Sequence, residues 1–279
     1  PLFVNEGSND FRIQLTSPAV NAGNNTYVPL DTTDVDGDSN TSENRPDRDL
    51  NPRIVATTVD MGAYERQDAL PPDPCLAYTF PYTLTGNTPA ELRQAIECAN
   101  ANGTADVINL NAQTVTLTDL FANYSGNTGL PQITTNVTLR NGTITRSGSN
   151  LFRMLSVNAS GVLSLRGITI SNGGGSGYSS LGAGVHNLGT TAVINSNIVN
   201  NTGNQAVALY STNTLNIVNS TIAGNSASTY TAILEMSGTA TITNSVISGN
   251  RSATSDNIAI NSGTLTVTNS TVAYNYAAV

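Results

Sequence analysis

The sequence predicts an all-β fold: a right-handed parallel β-helix of about 25 residues per coil with one short N-terminal capping α-helix. Three observations predict it. A segment recurs six times at near-constant spacing in the second half of the chain. Within each copy, apolar and polar residues alternate, the signature of a strand with one buried face. The composition also disfavours helix: the 279 residues include 36 Asn, 38 Thr and 24 Gly, all poor helix formers, and only 11% are charged.

The copies are LRNGTITRS (139–147), LRGITISNG (165–173), VINSNIVNN (193–201), IVNSTIAGN (217–225), ITNSVISGN (242–250) and VTNSTVAYN (267–275). Their third position holds Asn141, Gly167, Asn195, Asn219, Asn244 and Asn269, at spacings of 26, 28, 24, 25 and 25. Three residues further on stand Ile144, Ile170, Ile198, Ile222, Ile247 and Val272. Two residues before it stand Leu139, Leu165, Val193, Ile217, Ile242 and Val267. No such strand can bury its face alone, so neighbouring copies must stack, and the apolar positions become internal ladders. Asn at a fixed corner tolerates a left-handed backbone, and these Asn side chains are expected to bond the Asn above and below. Gly224 and Gly249 suit the following turn. Counting back from the corner places a third strand, with Val185, Leu209, Leu234 and Ala259 inward. His186, Tyr210, Glu235 and Ile260 then form an outward stripe.

A solenoid end is a sheet edge and needs a lid. Residues 88–101 read as that lid, with helix over 89–101. Thr88 is its N-cap, Pro89 its first helical residue, Glu91 the capping-box partner and Gly103 the stop. Leu92, Ile96 and Ala99 share one face. The helix precedes the first strand, 106–110, and so covers the bottom of the stack. At the other end the pattern runs to Val279 with no cap legible.

Charge divides the chain. Thirteen of the 19 acids lie in residues 1–73, and only Glu235 and Asp256 follow residue 120. Three prolines in DALPPDP mark a boundary near Asp68–Pro74. All 11 basic residues are Arg, the net charge is −8 and the isoelectric point is near 4.4, which excludes a nucleic-acid binder. No apolar run is long enough to span a membrane. Cys75 and Cys98 are the only cysteines. In so polar a chain they read as one disulfide of an extracellular protein, with two unrelated buried thiols as the alternative.

Three clusters are candidates for chemistry. In the acidic loop 31–49, Asp34, Asp36, Asp38 and Asn40 alternate around Gly37. Oxygen ligands at every second position suit calcium, although the offsets are not those of an EF-hand. The alternative is a loop whose acids pair with Arg45 and Arg48. His186, Tyr210 and Glu235 would suit acid–base work, but a solvent-exposed surface stripe is the plainer reading. The Gly-rich run 172–184 lacks the Lys and following helix of a phosphate cradle and reads as a long turn leaving the solenoid. Nothing here makes a catalytic site, and no catalytic residue is assigned. Asn-x-Ser/Thr triplets at Asn136, Asn158, Asn219 and Asn269 are expected by chance at this composition.

Two stretches carry a resemblance. FRIQLTSPAVNAG (11–23) followed by VDMGAYE (59–65) resembles the closing segment of bacterial surface β-helix proteins of the choice-of-anchor Q type. The matching residues are Phe11, Leu15, Ser17, Pro18, Ala19, Asn21, Gly23, Asp60, Gly62, Ala63, Tyr64 and Glu65. AELRQAIECANANGTADVINL (90–110) is similar to their opening segment, and the later copies resemble polymorphic outer-membrane repeats. The resemblance implies an extracellular β-helix and no particular activity. It divides the chain into a solenoid-closing segment at 1–68, a Pro-rich linker at 69–84 and the β-helix at 85–279. The closing segment comes first here, ahead of an opening helix and a solenoid whose end stays open. Two explanations fit this order: the chain is an excerpt from a longer tandem protein, or the closing segment of one chain completes the open top coil of another. The expected function is structural: a subunit that joins itself head to tail in a filament or long surface rod. A rod segment of a surface adhesin that binds glycans or the cell surface is the alternative, and a polysaccharide-active enzyme a more distant one.

Overall fold

The computed structural model describes residues 1–55, 58–67, 74–179, 181–230, 233–253, 258–260 and 262–277. The chain forms two compact units, Pro1–Asp73 and Pro74–Val279. Of the stretch read as a linker, 69–73 lie outside the described residues. Residues 74–84 belong to the second unit: Tyr82–Thr83 pairs in parallel with Ala105–Asn109, and Leu84 is buried.

The second unit is a parallel β-solenoid of about seven turns, about 25 residues apart. Its apolar registers are the expected ones. Val115, Ile144, Ile170, Ile198, Ile222, Ile247 and Val272 pair in succession up one sheet. Ile108, Leu139, Leu165, Val193, Ile217, Ile242 and Val267 pair in succession beside them. Every member below the last coil is buried. The lowest coil, Ala105–Asn109 with Thr114–Leu117, lies beneath the six copies legible in the repeat.

The third sheet stacks Leu155, Val185, Leu209, Leu234 and Ile258. Here the counting was off by one in the last coil: Ile258 pairs with Leu234, and Ala259, not Ile260, pairs with Glu235. Leu234 lies ten residues before its corner, Asn244, whereas Ile258 lies eleven before Asn269. The connection between strands lengthened by one residue while the corner kept its place.

The corner that carries the repeated Asn is left-handed in all six copies. Asn141, Asn195, Asn219, Asn244 and Asn269 have φ between 48° and 56°, and Gly167 has 64°. Their side chains, however, are not the ladder. Asn195, Asn219, Asn244 and Asn269 are exposed, and among the described residues they form no side-chain bonds with one another; Asn141 reaches only Asn109, at 3.4 Å. The residue after each corner Asn turns inward instead. The N–H groups of Ser196, Ser220 and Ser245 donate to Oγ of Ser220, Ser245 and Ser270, each at 3.1 Å. The Asn ladder lies six residues on. The side-chain amides of Asn201, Asn225 and Asn250 donate to Oδ1 of Asn225, Asn250 and Asn275 at 2.8–2.9 Å, and the first three are fully buried. An αL corner orients its own side chain to solvent, so the inter-coil bonds fall to the residues that follow.

The lid is the helix Pro89–Asn102. The Thr88 side chain accepts from the Glu91 N–H, and Gly103 ends the helix at φ 70°. Glu91 does not close a capping box. Its carboxylate accepts from Thr85 N–H, Gly86 N–H and the Tyr82 hydroxyl, fastening the incoming strand. Burial and this carboxylate push Tyr82 up to about 12. Leu92, Ile96 and Ala99 are buried against the bottom of the stack. Cys75 and Cys98 form a disulfide, with Cys75 in the turn ahead of the incoming strand.

The first unit is built otherwise. Among the described residues its one sheet is Phe3–Asn5 against Asp10–Ile13, and its buried apolar residues are Ile13, Ala19 and Val59. Buried carboxylates hold the loops. Asp60 accepts from the N–H groups of Asn21 and Arg66, Glu65 from those of Val55 and Asp60, and Asp47 from those of Asp49, Asn51 and Glu65. A Cβ on Gly23 would lie 2.7 Å from the Val59 carbonyl. Gly23, Asp60 and Glu65 of these two stretches thus serve close approach and backbone anchoring.

Candidate functional site

The acidic loop rises from a narrow neck. Leu30 bridges Asn44, Asp31 N–H donates to the Glu43 carbonyl at 2.9 Å, and Arg45 N–H to that of Pro29 at 2.8 Å. This pairing sets Asp31 and Glu43 face to face, although 12 residues separate them. Above the neck the chain coils tightly, with Asp34, Gly37 and Ser39 at positive φ. The turns are held by the loop's own side chains: Ser39 N–H donates to Asp34 Oδ1 at 3.0 Å, and Asn40 N–H to Asp38 Oδ1 at 2.7 Å.

Two groups of carboxylates result, sharing Asp36. Asp31, Asp36 and Glu43 each offer an oxygen, all within 4.8 Å of one another, and so do Asp34, Asp36 and Asp38. Either group could hold a metal ion. Asn40, expected as a fourth ligand, has its Oδ1 accepting from Ser42 N–H and Oγ–H. Asp31 and Glu43 were missed because they stand outside the alternating stretch; the only signal was an acid at each end of the loop. Asp31 is fully buried, and its Oδ2 accepts from Val35 N–H at 2.7 Å. Asp31 Oδ1 and Glu43 Oε1 are buried without a hydrogen-bond partner. Burial, then the charges of Asp38, Asp36 and Asp31, pushes Glu43 above the ordinary carboxylate range. Pairing with Arg45 or Arg48 is not what forms: among the described residues no ion pair reaches these five acids.

The His186 stripe is aligned through Glu235, and its first member is buried. His186 pairs with Tyr210, which pairs with Glu235, and the imidazole stacks on the Tyr210 ring at 5.1 Å between centroids. Yet His186 is buried, against the expectation of a solvent-exposed surface, because the Gly-rich run does not leave the solenoid. It folds back on the stack. Gly174 bridges both Phe152 and Thr202, and a Cβ on Gly182 would lie 2.5 Å from the Val185 carbonyl. Tyr178, in the same run, is buried with its hydroxyl on Arg153 Nε and the Asn127 carbonyl. Burial and the Arg153 charge lower His186 to about 4, so the imidazole is neutral near pH 7. Its position does not suit proton exchange with an external substrate. Asp256 lies outside the described residues.

No protein-family model matches this chain, and neither a curated protein nor a solved structure matches it.

Proposed function

We propose that this chain is a structural extracellular β-solenoid subunit that joins itself end to end, the first unit of one copy covering the last described coil of the next. One observation carries the reading. Val267 and Val272 are 45% and 51% exposed, whereas the residues in register beneath them, Ile242 and Ile247, are fully buried. A further layer in the same register would bury both and pair with Thr264–Thr268 and Thr271–Ala273, by strand addition to an exposed edge. The first unit offers suitable chemistry. A cleft of about 460 Å³ there is lined by Phe3, Phe11, Ile13, Met61 and Tyr64. Its resemblance to a solenoid-closing segment gives it the same role. A head-to-tail contact of this kind does not close on itself and builds a fibre. The disulfide fits an oxidising compartment, and no helix of the described residues is long and apolar enough to cross a membrane.

Negative-stain electron microscopy across a concentration series tests the reading. The expected result is unbranched fibres one subunit wide, abolished in the double variant Val267→Arg/Val272→Asp while its far-ultraviolet circular dichroism is kept. Monodisperse short rods at every concentration overturn it.

A further inference from the structure

The neck of the acidic loop holds a carboxylate that the fold leaves unpaid. Asp31 is fully buried, one oxygen is occupied by Val35 N–H, and the other has no partner. Glu43 Oε1 beside it is likewise buried and unpartnered. A carboxylate oxygen buried without a partner is destabilising, because the water it gives up is replaced by no hydrogen bond. The other buried carboxylates of this unit, Asp47, Asp60 and Glu65, each receive two or three backbone N–H groups. The neck differs because its acids point at one another.

From these contacts we infer that the neck binds one calcium ion, with Asp31, Asp36 and Glu43 as its carboxylate ligands and Asp34 and Asp38 on the outer side of the shared Asp36. The spacing fits. Two oxygens on opposite sides of a calcium ion, each at about 2.4 Å, are about 4.8 Å apart. That is the limit within which the three oxygens of each group lie. The donor set is all oxygen, which selects a hard cation. Three carboxylates leave further positions of the shell to water. Calcium accepts such irregular shells of six to eight oxygens, whereas magnesium demands a regular octahedron. The ion would bond both strands of the neck, Asp31 on one and Glu43 on the other, and so clamp the loop. Asp31 and Glu43, which the alternation does not indicate, form its centre, and the Asn40 Oδ1 is taken up by Ser42. The site lies within one chain and does not rest on end-to-end association.

Equilibrium dialysis of the full chain against radioactive CaCl₂ tests this, at protein concentrations where light scattering finds single chains. The expected result is one calcium per chain with a dissociation constant of about 10⁻⁴ M, in the range of extracellular modules. Asp31→Asn and Glu43→Gln should each weaken binding at least tenfold, and Asn40→Ala should leave it unchanged. Glu43→Gln guards against misfolding of the Asp31 variant, and circular dichroism checks both. No retained calcium at about 1 mM free ion, parental affinity in both acid variants, or equal displacement by MgCl₂ would each overturn the assignment. A loss in Asn40→Ala as large as in Asp31→Asn would overturn the ligand set.

Discussion

The two units solve the same problem by opposite means. The solenoid repeats one coil, buries ladders of Ile, Leu and Val and pairs each strand with its copies above and below. The first unit buries few apolar side chains and hangs its loops on Asp47, Asp60 and Glu65. Repetition makes a core of small identical contributions; a single closing segment has no copies to pair with and uses hydrogen-bonded charge. The solenoid should therefore answer to side-chain volume and ladder amides, and the first unit to the state of its carboxylates.

Volume should produce the largest difference. Ile222 is fully buried between Ile198 and Ile247. Ile222→Ala should lower solenoid stability by about 3–4 kcal/mol, the cost of lost burial plus the cavity. Val272→Ala, in the same register but half exposed, should cost under about 1 kcal/mol in single chains. Urea unfolding followed by circular dichroism separates the two. Equal losses would mean that the last coil is covered in solution.

Acid should move the units in opposite directions. The folded pKa of His186, about 4, lies below its unfolded value near 6.5. Stability from its neutral form is full above pH 6.5 and falls as pH drops towards 4, where the loss levels off at about 3 kcal/mol. His186→Phe keeps an aromatic ring on Tyr210 and should flatten this window. Burial outweighs the N–H groups on Glu65 and raises its pKa. Its ionised form therefore costs stability, and the first unit should gain as pH falls through that raised value. Glu65→Gln should remove this gain. Unfolding curves at stepped pH, with and without each substitution, check both signs.

The inner amides come next. Asn225→Ala removes bonds to Asn201, Asn250 and the Ile198 carbonyl in a fully buried site. It should cost about 2 kcal/mol, because partners remain buried and unpaired. Asn219→Ala, at the exposed corner, should cost about 1 kcal/mol or less, for loss of a residue that tolerates the left-handed backbone. If Asn219→Ala proves the more damaging, the corner rather than the inner amides holds the coils together.

This pair of asparagines shows what was legible in the sequence. Apolar registers, corner backbone and helical lid all follow from local patterns, because a repeat averages out local exceptions. Which Asn turns inward does not, since both columns recur every 25 residues and only the φ angle at the corner directs one outward. His186 was misread for a related reason: the Gly-rich run before it folds back through contacts distant in sequence, Gly174 bridging Phe152 and Thr202. In the acidic loop the alternation exposed Asp34, Asp36 and Asp38, while Asp31 and Glu43 came together only through the pairing of the neck.

The smallest effect separates the last coil from those beneath it. The second left-handed corner is occupied by Asn172, Asn200, Gly224 and Gly249, and in the last coil by Tyr274, at φ 58°. A non-glycine, non-Asn residue in this region is strained by about 1 kcal/mol or more. The Tyr274 ring is 92% exposed, so no packing among the described residues offsets the strain. Tyr274→Gly should therefore stabilise the solenoid by somewhat under about 1 kcal/mol, the relief being reduced by the greater freedom of glycine in the unfolded chain. Under end-to-end association the same substitution should raise the concentration at which fibres form, because it removes an exposed aromatic ring from the joining face. A stabilised chain that assembles at the parental concentration would remove Tyr274 from the joint and leave Val267 and Val272 to carry it.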